Sequence, residues 1–258
     1  MIVAPNIVKA PIQNGVVLVA ADGHYWPGRP STAHRAFVKF CRTMKPKVVI
    51  FNGDALDAAT ISRHPPIGWE GNPSLQEELA CVRLRLGEIR RASPGARHIW
   101  PLGNHDARFN TRLATVAPEF KGVAGTRLVD HFPDWEPCWT AQVGGAAGIV
   151  VKHRWKGGRN AAFSNARDGG RSIATGHLHS LAVAPYTDYN GTRWGIDCGC
   201  IADPYGPQFA YCEDNSRDWR SGFVMLTWKN GQLMWPELIA VHNEKKGIVQ
   251  FRGEFINA

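Results

Sequence analysis

Short apolar runs recur along this chain, and most of them end in a small cluster of polar residues. Residues 16–21 (VVLVAA) are a β-branched apolar run that predicts a buried strand. Residues 31–44 follow as a helix, with Ser31 or Thr32 as its cap and Pro46 just beyond its end. Residues 47–51 predict the next strand. Strand, helix and strand in that order make a βαβ unit, which implies a parallel sheet. Residues 63–73 (RHPPIGWEGNP) read as a loop from their prolines and glycines. Ser74 and Glu77 then have the spacing of a capping box. Leu75, Leu79, Val82, Leu86 and Ile89 form a core-facing stripe on the helix that follows, which Pro94-Gly95 ends. Residues 99–102 and 149–152 are two further strands.

Beyond about residue 125 the pattern shifts to short strands separated by turns. Residues 223–228 and 232–235 flank Lys229-Asn230-Gly231, a hairpin signal because Asn-Gly suits the positive φ angles of a tight turn. Residues 247–251 predict a final strand. No internal repeat, linker or low-complexity segment interrupts the chain, so one α/β domain over residues 1–258 is expected.

The polar clusters stand in order: Asp22-Gly-His24, Gly53-Asp54-x-x-Asp57, Gly103-Asn104-His105-Asp106, His153, and Gly176-His177-x-His179. Most directly follow a predicted strand, where side chains distant in sequence can converge. Carboxylate, imidazole and amide ligands without thiolate suit borderline-to-hard divalent ions such as Mn, Fe and Zn. If the chain stays extended after the first strand, Asp22 and His24 project to one side and grip one ion. Asp54 can offer one oxygen to each of two ions. Asn104 supplies a neutral oxygen, and His153, His177 and His179 supply nitrogens. Two such ions activate water as hydroxide and orient a phosphoryl group for in-line attack. His105 stands beside Asn104 as a non-ligand, and Asp57 can accept a hydrogen bond from its imidazole, favouring the protonated form that donates a proton. His34, His64, His98, His131 and His242 have no comparable context, although His64 in its proline-rich loop could approach a substrate.

Composition changes this picture little. An apolar fraction of 44% and a charged fraction of 20% are ordinary for a globular protein with a substantial core. The net charge of +8 favours an anionic partner, either nucleic acid or a phosphorylated molecule. Arg83, Arg85, Arg90, Arg91 and Arg97 cluster on and after the second helix. No stretch approaches the roughly 20 apolar residues of a membrane helix, and the N-terminus lacks the pattern of a secretory leader. An intracellular, cytoplasmic protein without a membrane partner is therefore expected. The six cysteines show no CxxC pair and read as reduced and buried, Cys198 and Cys200 included.

In ordered combination these clusters resemble the calcineurin-like metallophosphoesterases, whose pattern is D-x-H, GD-x-x-D, GNH-D/E, a lone H and GH-x-H. The resemblance covers residues from about 16 to 180. It implies a four-layer α/β/β/α sandwich with two mixed sheets and two divalent metal ions, Mn first and Fe, Zn or Ni as alternatives. It also implies that Asp22, His24, Asp54 and His179 hold one ion, and that Asp54, Asn104, His153 and His177 hold the other. His105 would be the proton donor, backed by Asp57. Two departures concern the branch. Ala58-Ala59 stands where protein Ser/Thr phosphatases place a phosphate-binding arginine, and Asp57 where purple acid phosphatases place a tyrosine. The His153 block (KHRW) also lacks the family's following glycine. The GNHD form, with Asp106, is similar to cyclic-nucleotide phosphodiesterases and Mre11-type nucleases. The run GDALDAATISRHPP is similar to phage and prophage members.

The leading expectation is a phosphohydrolase acting on phosphodiesters of nucleotides or nucleic acid. Trp26, Trp69, Trp135 and Trp155 lie in or near loops where they could stack on a base. The alternatives are a phosphomonoesterase acting on a small molecule or phosphoprotein, and a non-catalytic binding module that keeps the fold. Oligomeric state has no signal in the sequence.

Overall fold

The computed structural model describes residues 4–63, 71–145, 148–215 and 217–258. The first βαβ unit forms as its residue types require: β2 (Gly15–Ala20), α1 (Thr32–Met44) and β3 (Val48–Phe51), with β2 and β3 parallel. The Ser31 hydroxyl accepts the His34 N–H at 3.1 Å and caps α1. In α2 (Leu75–Ala92) the capping box is complete: Ser74 Oγ accepts the Glu77 N–H, and Glu77 Oε2 accepts the Ser74 N–H at 2.8 Å. Each device satisfies helix-end N–H groups that have no intrahelical partner.

Two mixed sheets result. One orders β15 (Glu254–Asn257), β14 (Ile248–Phe251), β13 (Glu237–Asn243), β11 (Gly222–Lys229), β2, β3, β4 (Arg97–Pro101) and β5 (Glu136–Cys138), with β12 (Gln232–Leu233) beside β11. The other orders β1 (Ile7–Ala10), β6 (Thr140–Val143), β7 (Ile149–Val151), β8 (Ser172–Thr175), β10 (Gly191–Asp197) and β9 (Ala182–Asp188). Two shorter helices, α3 (Asp106–Val116) and α4 (Ala161–Gly169), complete the chain.

The layers follow from period-2 alternation in buried strands. Val17 and Val19 of β2 pack with Ile50, Ile99, Val151, Ala174 and Ile196 in the core between the sheets. Leu18 and Ala20 point the other way, into a core with Phe37 and Phe40 of α1 and Val82, Leu86 and Ile89 of α2. Fully burying a side chain of this size contributes about 1.5–3 kcal/mol. On the far face of the second sheet, α4 packs against β8, β9 and β10. Helices, sheet, sheet and helix stack as the expected sandwich.

Several strands had weak sequence signals. The β9–β10 hairpin is only partly buried along much of its length, so its apolar alternation is faint. β1, β5, β6 and β15 are three or four residues each. The strand expected at 232–235 shortens to Gln232–Leu233, while Asn230 takes the positive φ of 52° that the hairpin turn demands. Cys198 and Cys200 are fully buried, and burial pushes both thiols well above their usual range. They are structural cysteines. Trp135 is buried against Phe51 and His98, so it is a core residue and not a stacking platform. Trp69, His64 and most of the 63–73 loop lie outside the described residues. Three of the clustered arginines carry carboxylate partners: Arg85 with Glu88, Arg90 with Asp134 and Arg97 with Glu136. Among the described residues no helix is long and apolar enough to cross a membrane.

Candidate metal centre

All five clusters reach one edge of the two sheets. β2, β3 and β4 are parallel and end at Ala20, Phe51 and Pro101, shortly before Asp22, Asp54 and Asn104. β7 and β8 are also parallel and end shortly before His153 and His177. Strands that share a direction deliver their C-terminal residues to the same side.

The side chains meet in three groups, one of them His24, Asp57 and His105. Ligand-type atoms of Asp22, His24 and His179 lie within 4.8 Å of one another, and so do those of Asp54, His153 and His177. His153 Nε2 joins these last two groups, 3.0 Å from Asp54 Oδ2 and 3.9 Å from Asp22 Oδ1. Asp22 Oδ1 is in turn 3.2 Å from His179 Nε2 and 3.9 Å from His24 Nε2. Asn104 occupies the adjoining turn, where the next residue, His105, donates its backbone N–H to Asp54 Oδ1 at 2.8 Å.

Extended backbone does not bring Asp22 and His24 together. Their φ angles are 54° and 37°, and Asp54, His177 and His179 are also left-handed at 51°, 73° and 61°. Side-chain-bearing residues adopt that region uncommonly, at a cost of about 1–3 kcal/mol each, and such strain concentrates at functional sites. The neighbouring loop sustains it here: Gly53 O accepts the Asp22 N–H, and Asp54 O accepts the His24 N–H, both at 2.9 Å. Close packing also explains two of the motif glycines. A Cβ at Gly103 would stand 2.0 Å from Asp54 Oδ1, and one at Gly53 would stand 2.3 Å from His153 Nδ1.

Hydrogen bonds orient the imidazoles. His24 Nδ1 is 2.9 Å from Asp57 Oδ1, and His153 Nδ1 is 2.8 Å from the Asn52 carbonyl oxygen. With Nδ1–H donating in each, the Nε2 lone pair turns toward the carboxylates, the usual posture of a ligating histidine. Nε2 of His24, Nδ1 of His179 and Oδ1 of Asn104 are buried with no hydrogen-bond partner among the described residues, and Nε2 of His153 has only the Asp54 carboxylate beside it. Lone pairs gathered around two carboxylates repel unless positive charge lies among them. The demand shows at His153, where burial favours the neutral ring but Asp54 and Asp22 push its pKa up to about 10. Burial opposes ionisation of Asp54 too, yet His153 holds its carboxyl well below the ordinary value. This donor set fits two divalent ions.

Asp57 is divided between two histidines. Its carboxylate holds His24, while its backbone carbonyl accepts the His105 Nδ1–H at 2.7 Å; the carboxylate lies 3.5 Å from that nitrogen. Burial lowers the His105 pKa, but Asp57 and Asp54 outweigh it and the net shift is upward.

The sequence names Asp106 without giving it a role, and it does not single out Glu78, Phe209 or Trp219. Asp106 is fully buried and accepts from the backbone N–H groups of Asp54, Ala55, Leu56 and Gly103 and from Trp100 Nε1, so it clasps two ligand loops together. Glu78 is fully buried, and its Oε1 accepts the N–H groups of Asp57 and Ala58. Its signal was available: Glu78 stands three residues after Leu75 and four before Val82, on the inward face of α2. Phe209 and Trp219 wall the histidines, with ring centroids 5.1 Å from His24 and 4.5 Å from His179 respectively.

Burial raises the Glu78 pKa from 4.5 to about 7. Between those values the unfolded chain ionises while the folded chain keeps its proton, so this group's contribution to stability falls as pH rises through the window. Glu78→Gln keeps the acceptor and removes the titration. Melting scans from pH 4.5 to 7 should therefore show the wild type losing ground to the variant as pH rises; parallel curves would refute the shift.

No family model and no curated protein matches the chain. Among solved structures, it is similar to a dimetal phosphatase from Danio rerio, at 9% identity and a TM-score of 0.42, over 95% of this chain and 98% of that one. A likeness of that size carries no chemistry to this chain.

Proposed function

We propose that this chain is a dinuclear metal-dependent phosphoesterase acting on phosphodiesters of nucleotides or nucleic acid. The observation that carries the reading is the pair of ligand groups, Asp22–His24–His179 and Asp54–His153–His177, with the buried Nε2 of His24 unpartnered beside Asp22. Asp22, His24, Asp54 and His179 would hold one ion, and Asp54, Asn104, His153 and His177 the other, with Mn the first choice. When bound, such ions make water nucleophilic near neutral pH and neutralise charge on the phosphoryl oxygens.

The chain's own residues do the rest. Water adds at phosphorus and gives up one proton to solvent, the P–O bond to the leaving group breaks, the departing oxygen takes a proton from His105 Nε2, and solvent returns a proton to His105. The Asp57 carbonyl holds His105 Nδ1 and thereby aims Nε2, which lies 4.0 Å from Asp54 Oδ2. Phe209 and Trp219 shield the ligating imidazoles from bulk water. The diester and nucleotide preference is supported by the net charge of +8 and the Gly103-Asn104-His105-Asp106 form. A cavity of about 410 Å³ reaches His24 and is bordered by Trp26, by the basic Arg29, Arg35 and Lys245 and by the acidic Asp203 and Glu244.

Purified protein supplied with Mn is expected to hydrolyse bis-p-nitrophenyl phosphate faster than p-nitrophenyl phosphate. Chelation should abolish the activity, and calorimetry should count two ions per chain. Preference for the monoester would overturn the diester assignment. Metal-independent turnover, or none with either ester, would overturn the whole reading.

A further inference from the structure

We propose that Arg108 is a substrate-binding residue that holds a phosphoryl oxygen beside His105; the inference rests on the phosphoesterase reading. His105 and Arg108 are three residues apart at the start of α3, so they share one helix face. Arg108 Nη1 donates to the Asp57 carbonyl at 2.8 Å, the same oxygen that takes the His105 Nδ1–H at 2.7 Å. Arg108 Nη2 lies 3.3 Å from His105 Nε2. One carbonyl thus anchors both side chains and brings a guanidinium nitrogen and the imidazole Nε2 to one point, a single ring away from Asp54.

Among the described residues no carboxylate pairs with the Arg108 guanidinium. A guanidinium has five N–H donors; among the described residues Arg108 hydrogen-bonds the Asp57 carbonyl and touches His105 Nε2, neither of them a carboxylate. Arg85, Arg90 and Arg97 differ, each lying against a glutamate or aspartate. Arg108 is half-buried, so its charge is screened less than that of a surface arginine. Its contact with His105 is long for a hydrogen bond and easily exchanged. A phosphoryl group entering between them offers oxygens to both nitrogens. The fork of Arg108 then adds a charge-assisted bond to the group that His105 protonates.

The test compares wild type with Arg108→Ala and Arg108→Lys, reading binding separately from turnover. Inorganic phosphate serves as the probe, titrated by calorimetry into the Mn-loaded protein and used as an inhibitor of bis-p-nitrophenyl phosphate hydrolysis. Loss of a charged hydrogen bond should weaken phosphate binding roughly 10- to 100-fold in Arg108→Ala and raise KM in step. Arg108→Lys, which keeps the charge but not the fork, should fall between. Metal stoichiometry and melting temperature should stay at wild-type values in Arg108→Lys. Unchanged phosphate affinity in either variant, or a loss explained wholly by lost metal or lost folding in both, overturns the assignment. If the wild type hydrolyses no phosphate ester, the functional reading fails by itself; the phosphate titrations still decide whether Arg108 binds the anion.

Discussion

Replacing His105 by alanine is expected to lower kcat for bis-p-nitrophenyl phosphate by roughly 10²–10⁴-fold, the span of a positioned general acid. His105 ligates neither ion in the proposed centre, so the variant should still bind two metals by calorimetry. Its Nδ1–H rests on the Asp57 carbonyl, which leaves Nε2 as the nitrogen that exchanges a proton with substrate. With no metal ion bound, Asp57 and Asp54 overcome burial and favour the protonated ring. Wild-type activity should decline as pH rises and the His105 proton is lost. The alanine variant should lose this alkaline limb along with its rate. A substrate with a good leaving group, which needs little protonation, should suffer least. Turnover equal to wild type with both metals bound would show that the proton comes from elsewhere.

Asp106→Asn should produce the largest loss of stability of any conservative change in the centre. Three N–H groups converge on Asp106 Oδ2, from Asp54 and Gly103 at 2.8 Å and from Trp100 Nε1 at 3.1 Å. Two more, from Ala55 and Leu56, reach Oδ1 at 3.0 and 3.2 Å. An amide turned either way sets its NH₂ against at least two of these donors, and each buried donor left unpaired costs about 1–3 kcal/mol. The expected loss of about 2–6 kcal/mol is a large part of a typical total of about 5–15 kcal/mol. Because the same donors position Asp54, metal affinity should fall as well, by roughly 10- to 100-fold, as when the partners of a ligand are removed. Burial and the Asp54 charge put the Asp106 pKa at about 6, so measurements at pH 8 compare an ionised carboxylate with the amide. A melting temperature and metal isotherm identical to wild type would mean that the clasp is dispensable.

Much of the fold was legible because its signals are local. Ser31, Ser74 and Glu77 cap their helices by contacts within three residues. The stripe Val82, Leu86 and Ile89 buries on one face because helical period alone places it there. β1, β6 and the partly buried β10 were not legible, since distant pairing makes them strands, β1 on β6 and β10 on β8, and β9 then pairs back on β10. The same division runs through the metal centre. Asp22, His24, Asp54, Asn104, His153, His177 and His179 announced themselves as ligand types at strand ends, and the structure gathers them at one sheet edge. Glu78 left a trace as a carboxylate on an apolar helix face. Phe209 and Trp219 left none, being aromatic residues in a loop with no periodic pattern.

The opening pattern of apolar runs ending in polar clusters therefore determined which residues arrive at the sheet edge and what donors they bring. It could not determine how they face one another. Only the tertiary structure sets Asp22, His24, Asp54, His177 and His179 in left-handed backbone, gives His24 the Asp57 carboxylate while His105 takes the carbonyl, and makes Asp106 the clasp between two loops. The physical reason is one of range. Periodicity and capping act over three or four residues, whereas these hydrogen bonds join residues 33 to 52 positions apart and exist only once the parallel strands have aligned their ends.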